Sequence, residues 1–349
     1  MQIELKKMVI APDIPLFDAM SVIDKNTKGM VFVCKDGVLT GSLTDGDIRR
    51  HILKKGSLDI AVDEVANHNF IFARVGQSYQ ELDEIFHKYR IDCIPIIDDQ
   101  GQLVDIQFAN AYDEVNKAEL NVPVVIMAGG KGTRLYPYTK VLPKPLIPIG
   151  DLTITQHILN QFKEYGCNDF TMIVNHKKNM IKAFFSDEET DYNIDFIDET
   201  IPLGTGGGLK LLDGKVKETF FMSNCDILVF EDYEKILQYH KKADNILTMV
   251  CSTKKVTIPY GIVDINEQGN IDSLTEKPSF SFLTNTGFYV IEPKFLEYIP
   301  ENAFMHITDI IQNCIDNGCK VGIYPISESQ WSDMGQLEEM EKMREKLEL

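Results

Sequence analysis

The sequence is poor in basic residues and has no long apolar segment near its start. Its 35 Lys and Arg residues stand against 53 Asp and Glu residues, a formal net charge of −18. This balance argues against nucleic acid or an anionic membrane as a partner, because both call for a basic surface. An anionic small substrate remains possible, since a few cations in a cleft outweigh a distant, screened field. The opening residues, MQIELKKMVIAPDIP, contain no apolar run of signal-peptide or membrane-helix length, so we expect a cytoplasmic protein.

Paired cysteines are also lacking. The seven cysteines are odd in number, scattered, and never spaced as CxxC. They therefore support neither a zinc site nor a disulfide framework, and free thiols are typical of a reducing compartment. The length of 349 residues predicts two or three domains, and 44% hydrophobic residues are enough to form their cores.

The first 120 residues contain a weak internal repeat. Amphipathic stretches at 16–25 and 79–89 have helical spacing, and each precedes two short apolar runs. The turns between these runs, Asp36-Gly37 and Gln100-Gly101, are typical of hairpins. The two glycines are 64 residues apart, which indicates a tandem pair of modules and not a solenoid.

The segment GSLTDGDIR at 41–49 makes this tandem resemble a pair of CBS domains, over about residues 8–115. In that family, residues at the places of Thr44 and Asp47 often hold the phosphate and ribose of an adenine nucleotide. The resemblance therefore implies a regulatory nucleotide site there. The alternative from the residues themselves is that Thr44 and Asp47 only cap the following helix.

The second module departs from that pattern, because Phe108 and Ala111 occupy the corresponding places. The resemblance thus implies one nucleotide site per chain at most. Since paired CBS modules commonly associate with another pair, it also implies a homo-oligomer.

After a polar stretch at 113–121, strand-like runs alternate with helical stretches. Continuous apolar runs at 122–128, 170–174 and 219–223 are typical of buried strands, and 155–165 has helical periodicity. This alternation predicts an α/β fold with a mostly parallel, Rossmann-like sheet and helices on both faces. We expect a first domain at 1–118 and a second at 119–349.

A glycine-rich turn, GGKGTRL at 129–135, directly follows the first of these strands, and PKPL follows at 143–146. Glycines there let backbone N–H groups face phosphate oxygens, and a helix beginning at this point would add its dipole. Arg134 can meet phosphates bidentately, while Lys144 is a positioned point charge. The spacing fits neither a P-loop nor the GxGxxG dinucleotide fingerprint.

Together these motifs resemble the sugar-1-phosphate nucleotidyltransferases over about residues 122–335. The resemblance implies the nucleotide-diphospho-sugar transferase fold. It also implies that Arg134 and Lys144 grip the phosphates of a nucleoside triphosphate. The residues expected to cradle that nucleotide are Ala128, Gly129, Gly130, Gly132 and Thr133.

Further family motifs follow in order along the chain. The LGTGG segment implies that Gly204, Thr205 and Gly206 lie beside the base and sugar, with Gly206 replacing the usual Ala. Without the resemblance, this segment would be interpreted as a flexible surface loop. The sugar-binding segments PYG, EKP and NTG imply acceptor contacts by Gly261, Glu276, Lys277 and Asn285, with Lys277 on the sugar's phosphate.

Two aspartates complete the predicted site. By resemblance, Asp226 in the NCD segment and Asp333 in WSDMG are the ligands of Mg²⁺. On their own, Asp226 would be a turn residue and Asp333 a helix cap. We expect catalytic roles for both aspartates together with Arg134, Lys144 and Lys277.

The predicted reaction transfers a nucleoside monophosphate from an NTP to a hexose or hexosamine 1-phosphate. GTP is the preferred donor, with CTP, UTP or dTTP as alternatives, and surface-glycan or nonulosonic-acid synthesis is the expected use. The competing hypothesis is a nucleotide-sensing protein whose transferase fold has lost activity. Retention of all five catalytic candidates argues against it.

Overall fold

The computed structural model describes residues 2–26, 28–55, 58–89, 91, 93–109, 118–187, 192–335, 339–340, 343–344 and 347. Their contacts group the chain into two compact units. One consists of 1–116 with 253–283, and the other of 117–252 with 284–349. The boundary predicted at 118 adjoins residues 110–117, which are outside the described residues. Across the described ranges, no helix is both long and apolar enough to cross a membrane.

The first unit contains the same small sheet twice. The orders are β1-β2-β3 and β4-β5-β6, in each case a parallel pair followed by an antiparallel hairpin. The first strands of the two sheets begin 64 residues apart, at the spacing predicted from the sequence. These strands are β1 (Val9–Ile10), β2 (Met30–Lys35), β3 (Val38–Thr44), β4 (Ala73–Arg74), β5 (Cys93–Ile97) and β6 (Leu103–Phe108).

Helices of the first unit pack their apolar faces on these sheets. Those described are α1 (Gln2–Lys7), α2 (Leu16–Asn26), α3 (Asp45–Lys55) and α4 (Tyr79–Tyr89), with a 3-10 turn at Val62–Glu64. The buried face of α2 presents Leu16, Ala19 and Ile23 at helical spacing to Val31 and Leu43 of the sheet. The helices predicted at 16–25 and 79–89 are therefore confirmed as α2 and α4.

The second unit is built on a sheet with the order β11-β10-β7-β12-β17-β14-β18. Strands β11, β10, β7 and β12 are mutually parallel, and β17 runs antiparallel to β12. The remaining strands are β7 (Val124–Ala128), β8 (Pro148–Ile149), β9 (Leu152–Thr153), β10 (Asp169–Val174), β11 (Asn193–Asp198), β12 (Phe220–Asn224), β13 (Ile227–Val229), β14 (Leu247–Thr257), β15 (Ile262–Ile265), β16 (Ile271–Thr275), β17 (Ser279–Ile291), β18 (Val321–Ile326) and β19 (Trp331–Asp333).

Helices cover both faces of this sheet, as predicted. Alternate residues of β7 enter different cores: Val124 and Ile126 pack with α6 and α9, while Val125 packs with α10. This explains why the strand is a continuous apolar run. The helices are α5 (Tyr138–Val141), α6 (Ile154–Lys163), α7 (Lys178–Ser186), α8 (Gly204–Gly207), α9 (Tyr233–Ala243) and α10 (Ile307–Asp316). The 3-10 segments are Thr133–Leu135, Lys144–Leu146, Gly208–Leu212, Pro293–Tyr298 and Glu328–Gln330.

The order of strands places a switch point at the carboxyl end of β7. From β7 the chain continues to β10 and β11 on one side, and then crosses to β12 on the other. Ligands of open α/β sheets commonly bind at such a point, because the loops on its two sides diverge. The glycine turn at 129–132 lies at this point.

Candidate active site

Two aspartates far apart in the sequence are brought together by a short backbone ladder. Asp226 directly precedes β13, and Asp333 ends β19. These strands pair antiparallel with Ile227 opposite Asp333, and Met334 N donates to Asp226 O at 2.8 Å. The ladder fixes both carboxylates just beyond the carboxyl end of β12.

Their surroundings favour a cation. Lys144 Nζ donates to Asp226 Oδ2, and both side chains are largely buried. Burial and the Asp226 charge raise the pKa of Asp333 to about 6, while Lys144 and Arg134 act in the opposite direction. Asp333 Oδ1 is buried and has no hydrogen-bond partner among the described residues. Two adjacent carboxylates with a bare oxygen form a site that a further cation would stabilise.

The donor set fits a hard divalent cation held jointly with a substrate. Within the described ranges, no group of three or more His, Cys, Asp or Glu side chains could hold a metal alone. Mg²⁺ commonly binds through one or two carboxylates and takes its other oxygens from substrate phosphates and water. Asp226 and Asp333 are suited to that arrangement. The adjacent Cys225 is not suited to be a ligand, since burial raises the pKa of its thiol to about 12.

The glycine turn has no room for a side chain at Gly132 but has open space at Gly130. Gly132 has φ 65°, and a Cβ there would lie 2.9 Å from Thr139 Cγ2 and 3.1 Å from Lys144 Cβ. A Cβ at Gly130 would meet no heavy atom within 4 Å in the described part of the chain. The turn thus packs against Lys144 and leaves its backbone open at Gly130. Ala128 is 1% exposed in the core, so only its backbone is available to a nucleotide.

The turn is not followed directly by a helix long enough to add a dipole to an anion site. After Gly132 the chain forms only the 3-10 turn Thr133–Leu135 and then the four-residue α5. So short a helix adds little to an anion site, because a macrodipole needs several aligned turns. A phosphate placed at this turn would be attracted mainly by Arg134, Lys144 and the backbone N–H groups. Thr133 and Arg134 are both exposed there.

The LGTGG segment is not a flexible surface loop. It forms the helical turn α8, in which the N–H groups of Gly206 and Gly207 donate to Met305 O at 3.0 and 3.1 Å. A Cβ on Gly206 would lie 2.7 Å from the Ile307 backbone, which explains why Ala is absent here. Thr205 Oγ1 accepts from Ile307 N at 3.2 Å and so supports the start of α10. Gly204 has φ 80° and likewise packs on Met305.

Sequence reasoning missed one carboxylate at this edge of the sheet. Glu199 follows β11 directly and is 6% exposed, and burial raises its pKa. Asn175 Nδ2 donates to its Oε2 at 3.2 Å. A Cβ on Gly129 would lie 2.9 Å from Oε2, and one on Gly208 2.4 Å from Oε1. Its signal in the sequence is weak, because acidic residues after a strand are usually solvated.

Three predicted acceptor residues lie in the first unit. A Cβ on Gly261 would be 2.9 Å from Glu276 Oε2, so this glycine and this carboxylate are in contact. Lys277 has φ 45°, a left-handed conformation that is uncommon outside glycine and is often found at binding sites. Glu276 and Lys277 are both exposed.

Asn285, the remaining acceptor candidate, is in the second unit. Its Nδ2 donates to the Tyr289 hydroxyl at 2.6 Å, and its Oδ1 accepts from Gly287 N at 2.9 Å. The amide therefore shapes its own turn. Any contact with a sugar would use its remaining hydrogen-bonding capacity.

Thr44 and Asp47 form a helix cap. Asp47 Oδ2 accepts from Thr44 N at 2.9 Å, and Thr44 Oγ1 accepts from Asp47 N at 3.2 Å, a reciprocal pair at the start of α3. Arg50 Nη2 donates to the other oxygen of Asp47 at 2.6 Å. Thr44 and Asp47 therefore cap α3, as the alternative interpretation predicted. A ribose bound by Asp47 would have to replace some of these hydrogen bonds. In the second repeat, Phe108 ends β6, while Ala111 lies outside the described residues.

Comparison with known families agrees with this architecture. The family described as Nucleotidyl transferase matches residues 123–348, and the CBS domain matches 4–54 and 62–106. The chain belongs to the nucleotidyl transferase family, and a pair of CBS domains precedes its transferase domain. Members of this family typically use a divalent metal.

Curated relatives are similar over the second part of the chain. A mannose-1-phosphate guanyltransferase of Aspergillus fumigatus is 33% identical over 61% of this chain and 60% of its own length. A mannose-1-phosphate guanylyltransferase of Mycobacterium tuberculosis is 30% identical, covering 61% of each chain. A UTP–glucose-1-phosphate uridylyltransferase of Synechocystis is 27% identical, over 61% of this chain and 60% of its own. The chain spans about 60% of the length of these relatives.

Solved structures share the fold. HddC from Yersinia pseudotuberculosis has a TM-score of 0.51 at 24% identity, covering 65% of this chain and 99% of its own. At this identity the likeness shows the fold alone, and it confirms the predicted fold class.

Proposed function

We propose that this protein is a sugar-1-phosphate nucleotidyltransferase. It transfers a nucleoside monophosphate from an NTP to a hexose or hexosamine 1-phosphate and releases pyrophosphate. The observation that carries the proposal is the cluster of Asp226, Asp333 and Lys144 at the switch point of the sheet, with the Arg134 charge acting on Asp333.

The chemistry requires cations more than a base. Two polyanions must meet, and the attacking phosphate oxygen of the sugar 1-phosphate is already ionised. Mg²⁺ held by Asp226 and Asp333 supplies charge neutralisation and polarisation of the α-phosphate. The new bond joins the sugar-phosphate oxygen to Pα, and the bond from Pα to the bridging oxygen breaks, leaving pyrophosphate.

The other residues position the substrates. Arg134, Lys144 and the N–H groups of 129–132 hold the triphosphate and stabilise the departing pyrophosphate. Lys277 places the acceptor's phosphate, and Glu276 accepts from sugar hydroxyls. Lys144 Nζ neutralises Asp226 in this structure, and the two aspartates would hold the metal that supplies positive charge beside it.

GTP is the proposed donor, and we propose that the Glu199 carboxylate, at the same edge of the sheet, contacts its base. A carboxylate accepts two parallel hydrogen bonds from the N1–H and 2-amino groups of guanine. Cytosine presents an acceptor at N3, and uracil and thymine offer a single ring N–H, so none matches both oxygens. Two of the relatives described above are guanyltransferases by name, which agrees. The related uridylyltransferase keeps UTP as the main alternative.

A hexose or hexosamine 1-phosphate is the proposed acceptor, since those relatives are named for mannose 1-phosphate and glucose 1-phosphate. Such an activated sugar would serve surface-glycan or nonulosonic-acid synthesis. The CBS pair is proposed as a regulatory or assembly module. Because CBS domains generally bind adenine nucleotides, an adenine nucleotide remains the predicted ligand of the pair. A homo-oligomer also remains a prediction.

Pyrophosphate release tests the proposal. The full chain is incubated with Mg²⁺, each of GTP, CTP, UTP and dTTP, and a panel of hexose and hexosamine 1-phosphates. We expect release that requires both substrates and the metal, and that is fastest with GTP. Nucleotide binding without release for any pair would instead support the inactive sensing protein.

A further inference from the structure

The segment 253–283, here called the arm, groups with the CBS repeats and not with the sheet that it interrupts. It contains the end of β14, the hairpin β15–β16 and the start of β17. It also carries Gly261, Glu276 and Lys277, the residues proposed to bind the acceptor. What holds the arm therefore bears on acceptor binding.

The hairpin β15–β16 of the arm gains little stability from apolar packing. Strands β15 and β16 form a two-stranded sheet, and an isolated hairpin is marginally stable in water. Val263 pairs with Leu274 and Ile265 with Ile271, and all four side chains are exposed to at least 49%. Because its apolar side chains are exposed, the hairpin gains little from burial. Support must come from contacts at its base.

One such contact joins the base of the arm to α2 of the first CBS repeat. Lys255 Nζ lies 3.3 Å from Asp18 Oδ1 and 4.9 Å from the centre of the Phe17 ring. The lysine thus makes an ion pair and a cation–π contact at once. It is the more buried partner of the pair, at 27% side-chain exposure.

The end of α2 that meets Lys255 is itself firmly held. Leu16 N donates to Ile60 O at 2.8 Å, and Phe17 N donates to Leu58 O at 3.3 Å. Leu16 is fully buried in the core of the first repeat. Phe17 and Asp18 are therefore held in place by contacts that do not involve the arm.

We propose that Phe17, Asp18 and Lys255 are positioning residues for the acceptor, and that the CBS repeat holds the arm in the conformation that binds the sugar phosphate. This inference rests on the proposed function. A ligand that shifted α2 would then change the affinity for the acceptor and leave the affinity for the triphosphate unaltered.

The test uses charge reversal in the full chain. Asp18→Lys and Lys255→Asp each break the pair, and the double variant restores it with the charges exchanged. We expect faster amide hydrogen exchange in 253–283 and a rise of about three- to tenfold in the KM for sugar 1-phosphate in each single variant. The KM for GTP is expected to change less than about twofold. The double variant should regain much of the loss.

Asp99→Lys is the matched control, because it reverses the same charge in an exposed pair with Arg74 of the second repeat, 3.7 Å away. If both single variants have the wild-type rate of hydrogen exchange in the arm, the contact between Asp18 and Lys255 does not hold the arm, whatever the activity. Faster exchange with an unchanged acceptor KM would overturn its role in positioning. If the wild-type chain releases no pyrophosphate, the proposed function fails. Hydrogen exchange alone still shows whether the contact between Asp18 and Lys255 holds the arm.

Discussion

The contact between Lys144 and Asp226 determines how charge is balanced in the candidate site. Lys144 neutralises one carboxylate, while Asp333 Oδ1 remains buried without a hydrogen-bond partner among the described residues. The folded-state pKa of Asp333, about 6, lies above its ordinary value of 3.8. Its ionisation therefore costs stability, and that cost grows as the pH rises from about 4 through 6. A site of this kind sacrifices stability for the ability to bind a cation.

Replacing either aspartate by asparagine separates stability from catalysis. We expect Asp226→Asn and Asp333→Asn to lower turnover by about 10²-fold or more, because each removes a charged ligand of the proposed metal. Above pH 6, Asp333→Asn should unfold at the same temperature as the wild type or a higher one. Pyrophosphate release at limiting Mg²⁺ and thermal unfolding are the measurements. Wild-type rates in both variants would contradict the metal assignment.

Glu199→Gln tests the choice of base. An amide offers one acceptor and one donor where the carboxylate has two acceptors, so we expect a lower kcat/KM for GTP and a smaller preference over UTP. Burial raises the pKa of Glu199 above the ordinary glutamate value of 4.5. As the pH falls, the preference of the enzyme for GTP should therefore weaken at a higher pH than it would with an ordinary glutamate. Kinetics with both nucleotides from pH 5 to 8 measure this. An unchanged ratio in Glu199→Gln would show that the carboxylate does not contact the base.

Among the elements, α8 connects the nucleotide side of the site to α10. Its glycines pack so closely on Met305 and Ile307 that side chains do not fit. We expect Gly206→Ala to destabilise the second unit by about 1–3 kcal/mol, as overpacked cores do. Adding Ile310→Val should recover little, because the Ile307 backbone stays 2.7 Å from the new Cβ. Denaturant unfolding decides this, and an alanine variant of wild-type stability would show that α10 can shift.

The cap of α3 is a second element with two possible roles. Asp47→Ala removes the acceptor for Thr44 N and the ion pair with Arg50, so we expect a loss of about 1 kcal/mol in stability. If an adenine nucleotide also binds there, calorimetry on the full chain should find one site. The variant should then weaken it more than tenfold. With no binding at millimolar AMP, ADP or ATP, Thr44 and Asp47 are caps only.

Elements set by local pattern were predictable from the sequence, and those set by tertiary contact were not. The helix predicted at 155–165 is present as Ile154–Lys163, where Thr153 and Gln156 form a capping box. The structural role of Thr205 depends on Ile307, about a hundred residues later in the chain. The periodicity of the sequence does not indicate such a contact. Glu199 was missed for the same reason, since only the fold buries it.

At the scale of the whole molecule, the chain interleaves its two units, because strands β14 and β17 each run from the sheet into the arm. A division after residue 118 follows the change in sequence pattern but separates the arm from the repeat that it contacts. Sequence could not reveal this, because the contact of Lys255 with Asp18 links residues far apart in the chain.

Deleting residues 1–118 tests this interleaving directly. The sheet and both of its cores lie in the second unit, so we expect a soluble, folded protein that still binds GTP. Without α2 the arm loses the partner of Lys255, and the acceptor KM should rise further than in Asp18→Lys. If CBS pairs join the chains, light scattering will also show a lower oligomeric state. Insoluble protein would mean that the CBS repeats are needed for folding. An unchanged acceptor KM would mean that the arm holds its conformation without the CBS repeats.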